Sequence, residues 1–118
     1  MIFILPESIN SLICIKISGK ITVAEYKDFI PYVESTIKKF GKIRVFVDLV
    51  DLDYWEWRVV WDDLAFGITH WNKFTKVAIV GHRRVERLSV WATNKITNGD
   101  IRFYYGGEAT DALNWVKN

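Results

Sequence analysis

Three aspartates crowd one short stretch of this chain, Asp48, Asp51 and Asp53 in "VDLVDLDYW". Carboxylates so spaced can hold a hard divalent cation or divide the roles of acid and base. They stand where a strand should end, the place where open α/β sheets put their sites. No histidine neighbours them, however, and Asp51 or Asp53 is equally suited to cap a following helix, so capping is the expected role. His70 follows Asp63 by seven residues, which puts both on one helix face and within reach of each other through an intermediate group. A lone histidine on a helix surface is otherwise ordinary solvated polarity. His82, in "GHRRVER", opens a strand-to-helix junction where backbone N–H groups could meet an anion. Without a glycine-rich fingerprint, a plain loop is expected there. Cys14, the single cysteine, lies among isoleucines in "LICIKIS" and reads as a buried, inert thiol. No G-x-S-x-G, P-loop, CxxC or HExxH pattern occurs. The expectation is no enzyme: no catalytic residue, no metal site and no cofactor.

The other outlying feature is aromatic. Residues 51–71, "DLDYWEWRVVWDDLAFGITHW", hold four of the six tryptophans in a chain that is 15% aromatic. On a helix expected from about Trp57 to Phe74, Trp57, Val60, Trp61, Leu64, Ile68 and Trp71 share one sector. Arg58, Asp62, Asp63, Thr69, His70 and Lys73 fall opposite. Amphipathicity alone therefore explains three of the four indoles as cover for a sheet. Val59 and Phe66 sit on the polar face without that excuse, and Tyr54 and Trp55 precede the helix with no periodic reason to be there. Exposed apolar groups of this kind mark an interface, a ligand groove or a membrane contact, and tryptophan and tyrosine suit the water–lipid boundary.

Large rigid rings on one short helix are hard to bury at the density of a protein interior. Gly67 lowers helix stability locally by about 1 kcal/mol relative to alanine and eases bending. The segment thus reads as a lid over an apolar pocket. Trp57, Trp61, Leu64 and Ile68, with Val85, Leu88 and Trp91 from the next helix, are expected to line that pocket. Tyr54, Trp55, Val59 and Phe66 are expected to form the exposed contact.

The elements that must position these residues follow from pattern. "MIFIL" and "SLICIKIS" are strand-like runs separated by the turn signal "PESIN". Thr22 opens a helix with Glu25 completing a capping box, and Gly41 closes it as a left-handed cap. Between them Val23, Tyr26, Ile30, Val33, Ile37 and Phe40 form one apolar stripe that stays in phase across Pro31, so one bent helix is expected. "KIRVFVDL", "KVAIVG" and "DIRFYY" are three more strands, with the almost wholly apolar "KVAIVG" covered on both faces. A helix over about Arg83 to Lys95 and a closing helix in "EATDALNWVK", with Ala109, Ala112, Leu113 and Val116 inward, complete the series. The fold class expected is α/β: a single domain over 1–118 with a mixed, mostly parallel five-stranded sheet and four helices.

Composition narrows the function classes. The chain has 118 residues, 50% hydrophobic and 25% charged, which is ordinary for one globular domain. Sixteen basic and 14 acidic residues give a net charge of +2, too balanced for a nucleic-acid-binding face. The start lacks a basic n-region and a long apolar run, and no stretch reaches the ~20 residues of a membrane span, so a cytoplasmic protein is expected.

The run "GKIRVFVDLVDLDYWEWRVVWDDLAFGITHWNKFTKVAIVG" carries Asp48, Trp57, Trp61, Asp63, Phe66, His70, Phe74, Lys76, Ala78 and Gly81 at spacings that resemble the hallmark of the SpoIIAA-like family of the STAS-type fold. The early "ILPES…SGKIT" and the late aromatic strand followed by "A…W" agree, so the resemblance spans essentially the whole chain. It implies a small mixed sheet with packed helices, similar to anti-sigma-factor antagonists and to lipid-carrying CRAL-TRIO domains. It also implies hydrophobic-ligand binding or membrane association through movable helices. Antagonists of this fold are switched by a phosphorylated serine at the start of the helix after the third strand. Here "DLVDLDYWEW" holds no serine or threonine, so that switch is chemically excluded at that place. Many relatives carry tryptophan where this chain has Val85, which alters contacts made there.

The function expected is a small non-enzymatic binding domain for an apolar small molecule or lipid, with peripheral membrane contact when its helices open. The alternative is a protein–protein regulatory module, a homodimer burying Val59 and Phe66.

Overall fold

The computed structural model of the chain describes residues 1–52, 70–96 and 98–118, with all side chains there save those of Val23, Arg84, Leu88, Ser89 and Trp91. Five strands run in sequence order across one sheet: β1 (Ile2–Ile4), β2 (Leu12–Ile17), β3 (Ile43–Asp48), β4 (Phe74–Gly81) and β5 (Asp100–Tyr105). β1 is antiparallel to β2, and every later pair is parallel. Three α-helices lie among the described residues: α1 (Val23–Phe40), α2 (Arg87–Lys95) and α3 (Ala109–Lys117).

The two faces of the sheet follow from the period of two in the strand sequences. Ile13, Val45, Val77 and Ile101 align in one row across β2 to β5, and Cys14, Phe46, Ala78 and Arg102 in the next. The first row belongs to the larger core, where Tyr26, Val33 and Ile37 of α1 and Ala92 of α2 cover the sheet. The second row is covered by Ala112 and Val116 of α3. Fully burying such isoleucine and valine side chains contributes about 1.5–3 kcal/mol each. β4 is buried from Val77 to Gly81, as that apolar run requires of an interior parallel strand.

Helix α1 forms where its caps dictate. The Thr22 side chain accepts from the Glu25 N–H at 3.2 Å, and Gly41 ends the helix at φ +76° with its N–H on the Ile37 carbonyl. Glu25 does more than cap: its Oε2 also accepts from the Ile2 N–H at 2.8 Å, tying the start of α1 to β1. Phe40, the last member of the apolar stripe, is 37% exposed with the Lys39 ammonium over its ring.

Two expected boundaries shift. The helix expected over 57–74 falls mostly outside the described residues, but its final turn is corrected. Trp71–Lys73 form a 3-10 turn and Phe74 is the first residue of β4. Phe74 pairs with Ile43 of β3 and is 5% exposed, with the Trp71 ring 4.9 Å away, so burial against the sheet wins over helical continuation. The helix expected from Arg83 begins as a 3-10 turn, Arg83–Val85, and becomes α-helical at Arg87. Val85 there drops onto Gly81, where a Cβ would meet Val85 Cγ2 at 2.3 Å.

The carboxyl end of α3 is held by cations from two strands. Arg44 Nη1 of β3 donates to the Val116 and Lys117 carbonyls at 3.0 and 2.6 Å, and Lys76 Nζ of β4 to the Trp115 carbonyl at 3.3 Å. These satisfy carbonyls that have no partner within the helix and oppose the negative end of its dipole. Arg102 of β5 stacks its guanidinium 4.8 Å from the Trp115 ring centre.

A Cβ at Gly99 would lie 2.3 Å from the Phe74 carbonyl oxygen, whereas one at Gly107 meets nothing. Gly99→Ala therefore forces main chain apart at the entry to β5. It should destabilise by about 2 kcal/mol. Gly107→Ala should be neutral, and urea denaturation of the two variants checks both.

Candidate functional site

Asp48 and Asp51 do not converge on a common site. Asp48 turns its Oδ1 back onto the Val50 N–H at 3.0 Å, capping the turn that follows β3. Asp51 pairs with Lys16 Nζ at 3.0 Å, and its carbonyl accepts from the Gly19 N–H at 2.8 Å. The hydrogen bond to Asp51, helped by the charges of Asp51 and Asp48, raises the Lys16 ammonium above its usual range. Asp53 lies outside the described residues. Among the described residues no three His, Cys, Asp or Glu side chains gather closely enough to hold a metal ion.

Cys14 is wholly buried on the α3 face. Burial, and secondarily the negative charge of Glu7, push its thiol up to about 11. His82 is exposed and begins only a three-residue 3-10 turn, its carbonyl accepting from the Val85 N–H at 3.0 Å.

Of the expected pocket lining, Val85 is the one residue whose side chain is described. It is 3% exposed, in the larger core over Gly81. The side chains of Leu88 and Trp91, and the whole of Trp57, Trp61, Leu64 and Ile68, lie outside the described residues. So do Tyr54, Trp55, Val59 and Phe66 of the expected contact, and Asp63, which the sequence pattern set beside His70.

The structure instead brings His70 to α1. Its Nδ1 lies 2.5 Å from Glu34 Oε2, across 36 residues of sequence. Glu34 Oε1 is buried and has no hydrogen-bond partner, alone in this among the described side chains. Beside the pair runs an open groove of about 680 Å³ lined by Glu34, Ser35, Ile37, Lys38, His70 and Lys73. That volume lies in the range of small-molecule sites. Ile37 supplies an apolar floor, the lysine stems extend it, and two ammonium groups stand at the rim. Sequence reasoning missed this groove. The Glu34 and Lys38 spacing of one helical turn was visible, but nothing local announced that the turn at 70–73 would face it.

A family model described as SpoIIAA-like matches residues 12–117, the span of every element from β2 to α3. The chain belongs to the SpoIIAA-like family. Among solved structures it is similar to an uncharacterised protein of the DUF3478 family with a SpoIIAA-like fold from Shewanella loihica PV-4. The two share 28% identity at a TM-score of 0.71, over 98% of this chain and 93% of the other. No curated protein matches the chain. Among the described residues no helix is long and apolar enough to cross a membrane.

The Cys14 thiol gives a direct check on this allocation of roles. The folded protein should resist iodoacetamide at pH 8 and react once unfolded in urea. In the unfolded chain the thiol ionises near its usual 9.0, but in the folded chain only near 11. Between these values the unfolded state releases the proton first, so stability should fall as pH rises through that window. Denaturation midpoints at pH 8 and pH 10.5, compared with those of Cys14→Ala, read this out.

Proposed function

We propose that the protein is a cytoplasmic, non-catalytic binding domain for an apolar or amphipathic small molecule, lipids included. The observation that carries the reading is the groove along α1: an apolar floor at Ile37, lysines at its rim and about 680 Å³ of open volume. The reactive groups described elsewhere support it, because each is committed to structure. Asp48 closes a turn, Asp51 neutralises Lys16 and Cys14 is buried with its proton held. The aromatic segment at 54–71 and the side chains of Leu88 and Trp91 on α2 would add the apolar lining, with Val85 packed beneath in the core, and Tyr54, Trp55, Val59 and Phe66 the contact with a membrane surface.

A second reading, a protein–protein module that is a homodimer, is favoured by a different surface. Phe3, Ile4 and Ile9, with Met1, are 44–64% exposed along β1 and the turn after it, at the open edge of the sheet. Exposed apolar strand edges invite pairing with another chain.

Native mass spectrometry of the purified protein reads both readings at once, as a retained small molecule and as a subunit count. Titration with fatty acids and with phospholipid vesicles, followed by tryptophan emission, should give a saturable shift. Emission unmoved by every fatty acid and vesicle would sink ligand binding. A dimer in light scattering that dissociates on Phe3→Asp or Phe66→Asp would then establish the second reading.

A further inference from the structure

Resting on the small-molecule reading, we infer that the groove between α1 and the turn at Trp71–Lys73 selects an anionic amphiphile with a hydroxyl group beside its acidic head. The argument begins with the orphaned oxygen. A buried carboxylate oxygen without a donor costs stability, and such groups in native proteins call for an explanation. Glu34 Oε2 is satisfied by His70, and Oε1 has nothing. The terminal torsion of a glutamate is broad, and a turn of about 30° moves each oxygen by only about half an ångström, so Oε1 can tilt toward the groove that Glu34 already lines while Oε2 stays within hydrogen-bond reach of His70.

What would meet it must donate a hydrogen bond. What the rim asks for is a negative charge, because Lys38 and Lys73 outnumber the single carboxylate. Glu34 and Lys38 stand one helical turn apart on the same face of α1, about 5–6 Å between their Cβ atoms. A hydroxyl and an acidic group on adjacent atoms of one molecule fit between two side chains at that separation. The hydroxyl donates to Glu34 Oε1, and the acid accepts from Lys38 and, across the groove, from Lys73. The hydrocarbon chain then lies over Ile37 and the lysine stems. The His70–Glu34 contact fixes the carboxylate and joins the two walls of the groove.

Calorimetric titration of the full chain with 2-hydroxydodecanoate and with dodecanoate, both below micelle formation, tests this. One additional hydrogen bond to a charged acceptor should make the hydroxy acid bind about tenfold more tightly. Glu34→Met should abolish that preference while leaving dodecanoate binding in place. Lys38→Met with Lys73→Met, at exposed positions that leave the fold intact, should weaken both acids alike. A thermal melt of each variant separates lost binding from lost folding. Equal binding of the two acids, or a lysine double variant that binds as the parent does, overturns the inference while the broader ligand-binding reading stands. Failure of both acids to bind also overturns it, and the broader reading then rests on the wider lipid titration.

Discussion

A parallel sheet cannot leave a face to water, because its crossover connections and its nearly continuous apolar strands demand cover on both sides. That requirement organises everything described here. β2 to β5 are parallel, and their side chains alternate between a face covered by α1 and α2 and a face covered by α3. Among the described residues the second cover is a single short helix of nine residues. Such a helix is marginal on its own and is stabilised by what it packs against. Ala112 and Val116 bury its inner face, and Arg44 and Lys76 satisfy carbonyls at its end. Three basic side chains on the sheet, Arg44, Lys76 and Arg102, are thereby spent on one helix terminus and one indole. A basic row on a sheet invites an anion-binding interpretation, and here the helix itself is what those charges meet.

The same constraint explains which parts of the fold were legible in the sequence. The caps of α1 were, because Thr22, Glu25 and Gly41 act on backbone groups within a turn of themselves. The strands were, because β-branched runs and alternation are local properties. The boundary at Phe74 was not: helical periodicity carries through Trp71 and Phe74, and only the register of β4 against β3 decides that Phe74 belongs to a strand. Phe40 keeps 37% of its surface exposed at the end of the stripe, since helical periodicity says which way a residue points and not how fully it is covered. Capping was expected of Asp51 or Asp53; Asp51 pairs instead with Lys16, Asp53 lies outside the described residues, and it is Asp48 that caps, on a turn and not a helix.

Of the candidate site, the sequence supplied the residue types and not their partners. His70 was visible as a histidine on a polar face, and the nearest carboxylate in helical phase was Asp63. Its structural partner is Glu34, on an element that precedes it by a whole strand. Contacts of that separation are products of topology: α1 covers β3, β4 lies beside β3, and the residues leading into β4 are thereby set against α1. Asp48 and Asp51, by contrast, found partners within reach of their own turn or on the adjoining strand, which is why their chemistry was absorbed into the fold.

Val85 and Gly81 show how closely the interior is fitted. A valine methyl occupies the space that any side chain at position 81 would need, in a cluster where both residues are buried. In such a core a large residue is admitted only where a neighbour is small. The α1 groove obeys the opposite logic. Its walls are long, charged side chains over one isoleucine, and one of its carboxylate oxygens is sealed from water without a donor. An apolar isostere at position 34 would remove that cost, at the loss of the His70 contact, so the acid is not there for packing alone. A protein that satisfies Asp48 and Asp51, caps α1 and fills its core over Gly81 leaves, among the described residues, one buried side-chain acceptor open, and it does so in the wall of a groove.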